Sequence, residues 1–364
     1  MGLGKRAVEA LAVNRKFWAG RRVLLTGVTG FKGSWLALWL RELGAHVTGY
    51  ALAPPTTPSL FEVLGLRDDL RWLDADVRDL ARVKRAVHES DPEVVFHLAA
   101  QSLVRPSYEA PVDTFATNVM GTVNLLEALR DRQTTRAIVV VTSDKCYENR
   151  EWAWPYRESD PLGGRDPYSS SKACAELVSS AYYQSFYRVD RIGVATARAG
   201  NVIGGGDWSR DRLVPDVVAA LAAGTSALVR SPSSVRPWQH VLEPLLGYLL
   251  LAERLVDDHQ RFSEGWNFGP DPLAVQPVSE LANSLCFLWG NGASWHTVDA
   301  TQPHEAQVLA LDASKARARL RWVPRLQLGE ALDWTVRWYK AFHRGDDIRA
   351  QSLQQLSDYQ EQKT

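Results

Sequence analysis

The chain has 364 residues, with 42 basic against 42 acidic side chains and a formal net charge of +0. At 45% hydrophobic and 23% charged residues it has the composition of a globular protein with a substantial core, which excludes a disordered or fibrous chain. No overall field favours nucleic acid or an anionic membrane, so an anionic ligand has to be held locally, in a pocket.

Residues 1–18 carry Glu9 inside their one apolar stretch, and no later apolar run approaches membrane-spanning length. Neither export nor insertion is expected, and a cytoplasmic protein is. The three cysteines, Cys146, Cys174 and Cys286, lie far apart with no ligand spacing, so reduced thiols, no disulfide framework and no metal are expected.

Residues 22–50 read as a βαβ unit: an apolar strand at Val23, Leu24 and Leu25, a Gly-rich turn, a helix ended by Gly44, and a second strand over 46–50. Further strands are expected at 94–98, 137–142 and 192–196, separated by helices that include 118–130 and 169–187. Such alternation predicts an α/β fold: a doubly wound parallel sheet of the Rossmann type with a smaller C-terminal substrate-binding domain. The dinucleotide-binding domain is expected over residues 17–200 plus about 232–262. The substrate domain takes 201–231 plus 263–345, and 346–364 form a polar tail that frays.

The first turn, Thr26-Gly27-Val28-Thr29-Gly30-Phe31-Lys32-Gly33, has the GxxGxxG form that brings helix-start N–H groups close to a pyrophosphate. Gly27, Gly30, Phe31 and Gly33 are therefore cofactor candidates. No acidic residue follows the second strand, where Ala51-Leu52-Ala53 stands, and no Arg replaces it, so the turn identifies a dinucleotide site more firmly than it selects NAD over NADP. Asp76, next to Val77, offers a carboxylate for an adenine amine or else is a solvated loop acid; Leu98, Ala99 and Ala100 are small residues where a cofactor can approach the backbone.

Tyr168 and Lys172 lie four residues apart, on one helical face, where a cation favours the phenolate and makes the phenol a usable base. Ser143 precedes this pair at a strand end. Together with the Gly-rich turn, these residues resemble the extended short-chain dehydrogenase/reductase superfamily. Thr142-Ser143-Asp144-Lys145-Cys146-Tyr147, the run from Arg198 to Trp208 and Arg236-Pro237-Trp238-Gln239-His240-Val241 resemble the CDP-glucose 4,6-dehydratase family, over about residues 17–344.

That resemblance implies NAD as a recycled cofactor, a CDP-hexose substrate and a role in deoxysugar biosynthesis of the O-antigen type. It implies that Ser143 binds the sugar O4, Tyr168 takes its proton, and Lys172 tunes Tyr168 and holds the nicotinamide ribose. Asp144 becomes the acid for the departing water. Lys145, where the dTDP-glucose enzymes have Glu, is either the base at C5, when neutral, or an ammonium that stabilises the enolate.

Asn201 and Arg236 are candidates for the substrate diphosphate, since Arg forks suit phosphate geometry. His240 either orients that diphosphate or a sugar hydroxyl, or is structural. Trp208 and Trp238 either stack on a base or, as the preferred reading, pack a small core, and His304-Glu305 also fits the family pattern. A 4-epimerase or reductase on the same fold, and a catalytically silent dinucleotide-binding protein, are the competing readings. The helices over 118–130 and 169–187 suggest a two-fold interface and a homodimer.

Overall fold

The apolar runs assemble into one parallel sheet. In the computed structural model, residues 12–271, 274–298 and 309–362 are described. The strands are β1 (Arg22–Thr26), β2 (His46–Ala51), β3 (Arg71–Asp74), β4 (Val94–His97), β5 (Ala137–Val141), β6 (Gly193–Ala199), β7 (Asn201–Ile203), β8 (Ala227–Leu228), β9 (Val235–His240), β10 (Gly265–Phe268), β11 (Val275–Pro277) and β12 (Trp295–His296). The main sheet runs β10-β6-β5-β4-β1-β2-β3, with Val23 in register with both Val47 and Val94. Its order reverses between β1 and β4, and at such a switch point the strand ends open into a crevice.

The longer helices are α1 (Phe31–Glu42), α2 (Leu80–Ser90), α3 (Gly121–Leu129), α4 (Pro167–Tyr182), α5 (Leu213–Ala222), α6 (Leu242–Asp257), α7 (Val278–Trp289), α8 (Leu328–Arg344) and α9 (Ile348–Glu361). Trp35 to Leu40 of α1 are all fully buried, as a helix that is apolar on every side requires. The Trp35 indole donates to Gly205 O at 2.9 Å, which ties this helix to the Gly-rich loop after β7. The helices expected over 118–130 and 169–187 are interrupted by π turns at Ala116–Met120 and Tyr183–Tyr187.

Two expectations are corrected. β10 was placed in the substrate domain, yet it pairs with β6 in the main sheet, while β9, placed in the dinucleotide domain, pairs with β7 and β11 in a small three-stranded sheet. The chain re-enters the main sheet after an excursion that hydropathy does not mark. The tail expected to fray instead carries a docked helix over its described residues: α9 is capped by Asp347 and buries Ile348, Ser352, Leu356 and Tyr359 on one face. The Tyr359 hydroxyl donates to Glu243 Oε2 at 2.7 Å, and Trp338 Nε1 donates to Ser352 Oγ at 2.9 Å. No helix among the described residues is long and apolar enough to cross a membrane.

Candidate active site

A cleft of about 840 Å³ lies between the carboxyl ends of the main-sheet strands and the small sheet. At its floor the Gly-rich turn is shaped by two close approaches. Gly27 has φ +72°, and a Cβ there would sit 2.6 Å from Ala99 N; a Cβ on Gly33 would lie 2.1 Å from Gly27 O. Side chains are excluded from both. Gly30, the N-cap of α1, meets only Gly27 O at 3.4 Å, so its open side and the unpaired N–H groups of the first helical turn are available to a phosphate.

The opposite wall is fixed by Thr26. Its Oγ1 accepts from Leu98 N at 3.2 Å and Ala99 N at 3.1 Å, and it bonds His97 Nδ1 at 2.7 Å. Burial pushes His97 down to about 3, so this ring is neutral. Asn118 then joins the loop after β4 to α4, accepting from Gln101 N at 2.8 Å and donating to Ser171 Oγ at 2.8 Å. All the expected cofactor residues line the cleft: Gly27, Gly30, Phe31 and Gly33; Asp76 and Val77; Leu98, Ala99 and Ala100; and Tyr168 and Lys172. Both oxygens of Asp76 are engaged by Arg78, through its backbone N–H and its guanidinium, which holds the carboxyl below its usual range.

Ser143, Asp144 and Lys145 turn out of β5 into a short 3-10 turn along the same cleft. The Ser143 hydroxyl donates to Asp144 Oδ1 at 2.9 Å and accepts from Lys145 N at 3.2 Å. Burial pushes the Asp144 carboxyl up against the pull of Lys145, Ser143, Arg236 and Lys32, so it holds its proton more firmly than a surface aspartate. A buried acid of this kind can deliver that proton to a leaving hydroxyl.

Burial also pushes the Tyr168 phenol up to about 12; its hydrogen bond with Ser143 and the Arg212 guanidinium pull it down, while Asp144 and Asp166 raise it. Arg212 is thus a cation acting on the phenol in addition to the expected Lys172. Lys172 donates from Nζ to Val141 O at 3.1 Å, and burial brings it down to about 8.

Asn201 and Arg236 line the cleft, and Trp238, in register with Asn201, is 6% exposed beside them. Trp208 packs on Trp338, Tyr339 and Phe342. His240 is corrected as a ligand candidate: it is fully buried, lies outside the cleft lining, and sits edge-on to Trp35 and Trp334. The pair His304-Glu305 lies outside the described residues.

Two cations entered the site without an expectation of their own. Arg212, at the start of α5, pairs with Asp207 at 2.9 Å and reaches Ser102 Oγ at 3.4 Å. Lys32, inside the Gly-rich turn, lines the cleft; burial and Arg212 bring it down to about 7, against Asp144. A lysine in a turn that otherwise wants small residues was the available signal for Lys32. For Arg212 there was none, since what brings it to the site, beyond its near neighbour Asp207, is the loop that carries Ser102 and the helix that carries Tyr168.

The family model described as GDP-mannose 4,6 dehydratase matches residues 24–335. The chain is 51% identical over 352 residues to the CDP-glucose 4,6-dehydratase of Salmonella typhimurium, covering 95% of this chain and 98% of that one. It is 31% identical to the dTDP-glucose 4,6-dehydratase of Streptomyces antibioticus, over 87% of this chain and 92% of that one. Among solved structures, DesIV, the dTDP-glucose 4,6-dehydratase of Streptomyces venezuelae, crystallised with NAD and TYD, superposes with a TM-score of 0.76 at 26% identity, covering 89% of this chain and 98% of that one.

Proposed function

Because this chain belongs to the GDP-mannose 4,6 dehydratase family, we propose that it is an NAD-dependent sugar-nucleotide 4,6-dehydratase that converts CDP-D-glucose to CDP-4-dehydro-6-deoxy-D-glucose and water, in deoxysugar biosynthesis. The observation that carries this reading is the buried Asp144, hydrogen-bonded to Ser143 and followed by Lys145, in the cleft that holds Tyr168. An epimerase or reductase has no water to expel and no use for that acid.

The turn fits a dinucleotide: its two crowded glycines leave the N-terminus of α1 open to a diphosphate, and Lys172 and Tyr168, which line the same cleft, would hold the nicotinamide ribose. NAD, when bound, supplies reversible two-electron chemistry at the sugar. The chain's own residues do the rest. Ser143 binds the C4 hydroxyl and Tyr168 removes its proton as C4 is oxidised. The resulting ketone makes the C5 hydrogen acidic, because the carbanion is delocalised into the carbonyl. Lys145 removes that proton, or stabilises the enolate that forms, and Asp144 protonates the C6 hydroxyl so that it leaves as water. C6 is then reduced and C5 reprotonated. Arg236 and Asn201 hold the substrate diphosphate.

We further propose a cytoplasmic homodimer. Met120 ahead of α3, Leu177 on α4, and Phe186 and Val189 beyond it are exposed apolar side chains, and a two-fold pairing of these helices would cover them. Sedimentation of wild type against Leu177→Asp reports on that face.

Incubation with CDP-, dTDP-, GDP- and UDP-glucose tests the function. The expected result is a 4-keto-6-deoxy product, with kcat/KM highest for the CDP sugar. A C4 epimer as the product would overturn the reading.

A further inference from the structure

One helical turn beyond Lys172, Glu176 is 4% exposed and its carboxylate is fully engaged. It accepts from the Thr142 hydroxyl, from Thr196 Oγ1 at 2.5 Å, and from Arg198 Nε and Nη2 at 2.9 and 2.7 Å. Arg198, equally buried, donates from Nη1 to the Tyr147 hydroxyl at 2.6 Å, and that hydroxyl donates onward to Asn267 Oδ1 at 2.8 Å. Gly265 on β10 makes room for the guanidinium, since a Cβ there would lie 2.5 Å from Nη2.

This cluster joins the working parts of the site from behind. Glu176 rides on α4 with Tyr168 and Lys172. Thr142 and Tyr147 bracket Ser143, Asp144 and Lys145, while Thr196, Arg198 and Asn267 belong to β6 and β10. A buried ion pair is seldom more stable than well-packed apolar residues of the same volume, so fold stability alone does not call for charges here. Neither Glu176 nor Arg198 lines the cleft, so both act through other residues.

We propose that Glu176 and Arg198 are a positioning pair for the dehydratase chemistry: they lock the Tyr168–Lys172 face of α4 against the Ser143–Asp144–Lys145 turn and set a carboxylate one helical turn from the Lys172 ammonium. This rests on the functional reading above. The electrostatic consequence falls on Lys172. Burial pulls its ammonium down, and Glu176 opposes that pull from the same helix. The other groups facing it are Cys146 from the turn after β5, His97 at the end of β4 and Lys32 from α1.

The test reads Lys172 directly, by NMR of [ε-13C]lysine-labelled full-length protein, with its signal assigned by its absence in Lys172→Arg. Glu176→Gln keeps the shape and removes the charge. Its Lys172 midpoint is expected to fall by about one pH unit. The alkaline limb of cofactor reduction should move down with it, while KM for CDP-glucose stays within about twofold. Thr196→Val removes one donor, leaves the carboxylate charge less shared, and should move the midpoint upward. If Glu176→Gln does not fold, Thr196→Val decides. An unmoved midpoint in a folded variant overturns the proposal. The NMR midpoint is readable whether or not a sugar nucleotide is turned over, so a shifted midpoint in a protein that never reduces its cofactor would count against the functional reading alone.

Discussion

Asp144 occupies space that a side chain at position 200 would need: a Cβ built on Gly200 would lie 3.1 Å from Asp144 Oδ2 and 2.9 Å from Pro237 Cγ. Gly200 follows the last residue of β6 and Asp144 lies in the turn after β5, so the acid is held where two strand ends meet. Gly200→Ala should fold and bind cofactor yet displace the acid, with an overpacking cost of roughly 1–3 kcal/mol. Single-turnover absorbance should show C4 oxidation nearly intact and water loss slowed at least about tenfold.

Asp144→Asn removes the transferable proton and keeps the shape. If Asp144 is the acid for water loss, elimination should fall roughly 100- to 10,000-fold while C4 oxidation changes far less. Reduced cofactor would then accumulate with CDP-glucose. Equal loss of both steps would refute that division of labour.

Gly33→Ala should abolish cofactor retention, because its Cβ would lie 2.1 Å from the Gly27 carbonyl oxygen and the turn would have to open. NAD titration by calorimetry checks it. Affinity within about threefold of wild type would show that the turn is not the diphosphate cradle.

Glu243 gives a stability prediction away from the site. Burial pushes its carboxyl up from 4.5 to about 7, against the Leu326 and Arg325 N–H groups and the Tyr359 hydroxyl that favour the carboxylate. An acid with a raised folded-state value binds its proton more tightly in the native state. Its contribution is fully present below 4.5 and is lost as pH rises through about 7, to the extent of on the order of 3 kcal/mol. Glu243→Gln should remove that slope. Urea unfolding at about pH 4.5 and about pH 7.5 measures the difference, and parallel slopes in the two proteins would contradict it.

What the sequence made legible was local. The turn from Thr26 to Gly33 reads directly because its spacing between strand and helix is a local pattern, even though Gly27 is also pressed by Ala99 from beyond β4, and Tyr168 and Lys172 because four residues are one helical turn. What stayed hidden depends on distant partners. His240 reads equally as a ligand or as a structural residue in its motif, and the rings of Trp35 and Trp334 edge-on to it favour the structural reading. Arg212 acts on the phenol through its charge, from a loop with no motif of its own. The tail after Gly345 is polar on average, and only its one apolar face, with Leu356 and Tyr359, reveals that it docks. β10 is a four-residue strand whose place is set by β6, not by its own pattern.

In the proposed reaction C4 of the sugar gives up two electrons to the bound cofactor and C6 recovers them within one turnover. CDP-glucose carrying deuterium at C4 tests this most directly, with the product analysed by NMR. The expected result is deuterium at C6 of the 4-keto-6-deoxy sugar and a transient absorbance of the reduced cofactor. A product with solvent hydrogen at C6, or deuterium still at C4, would contradict it.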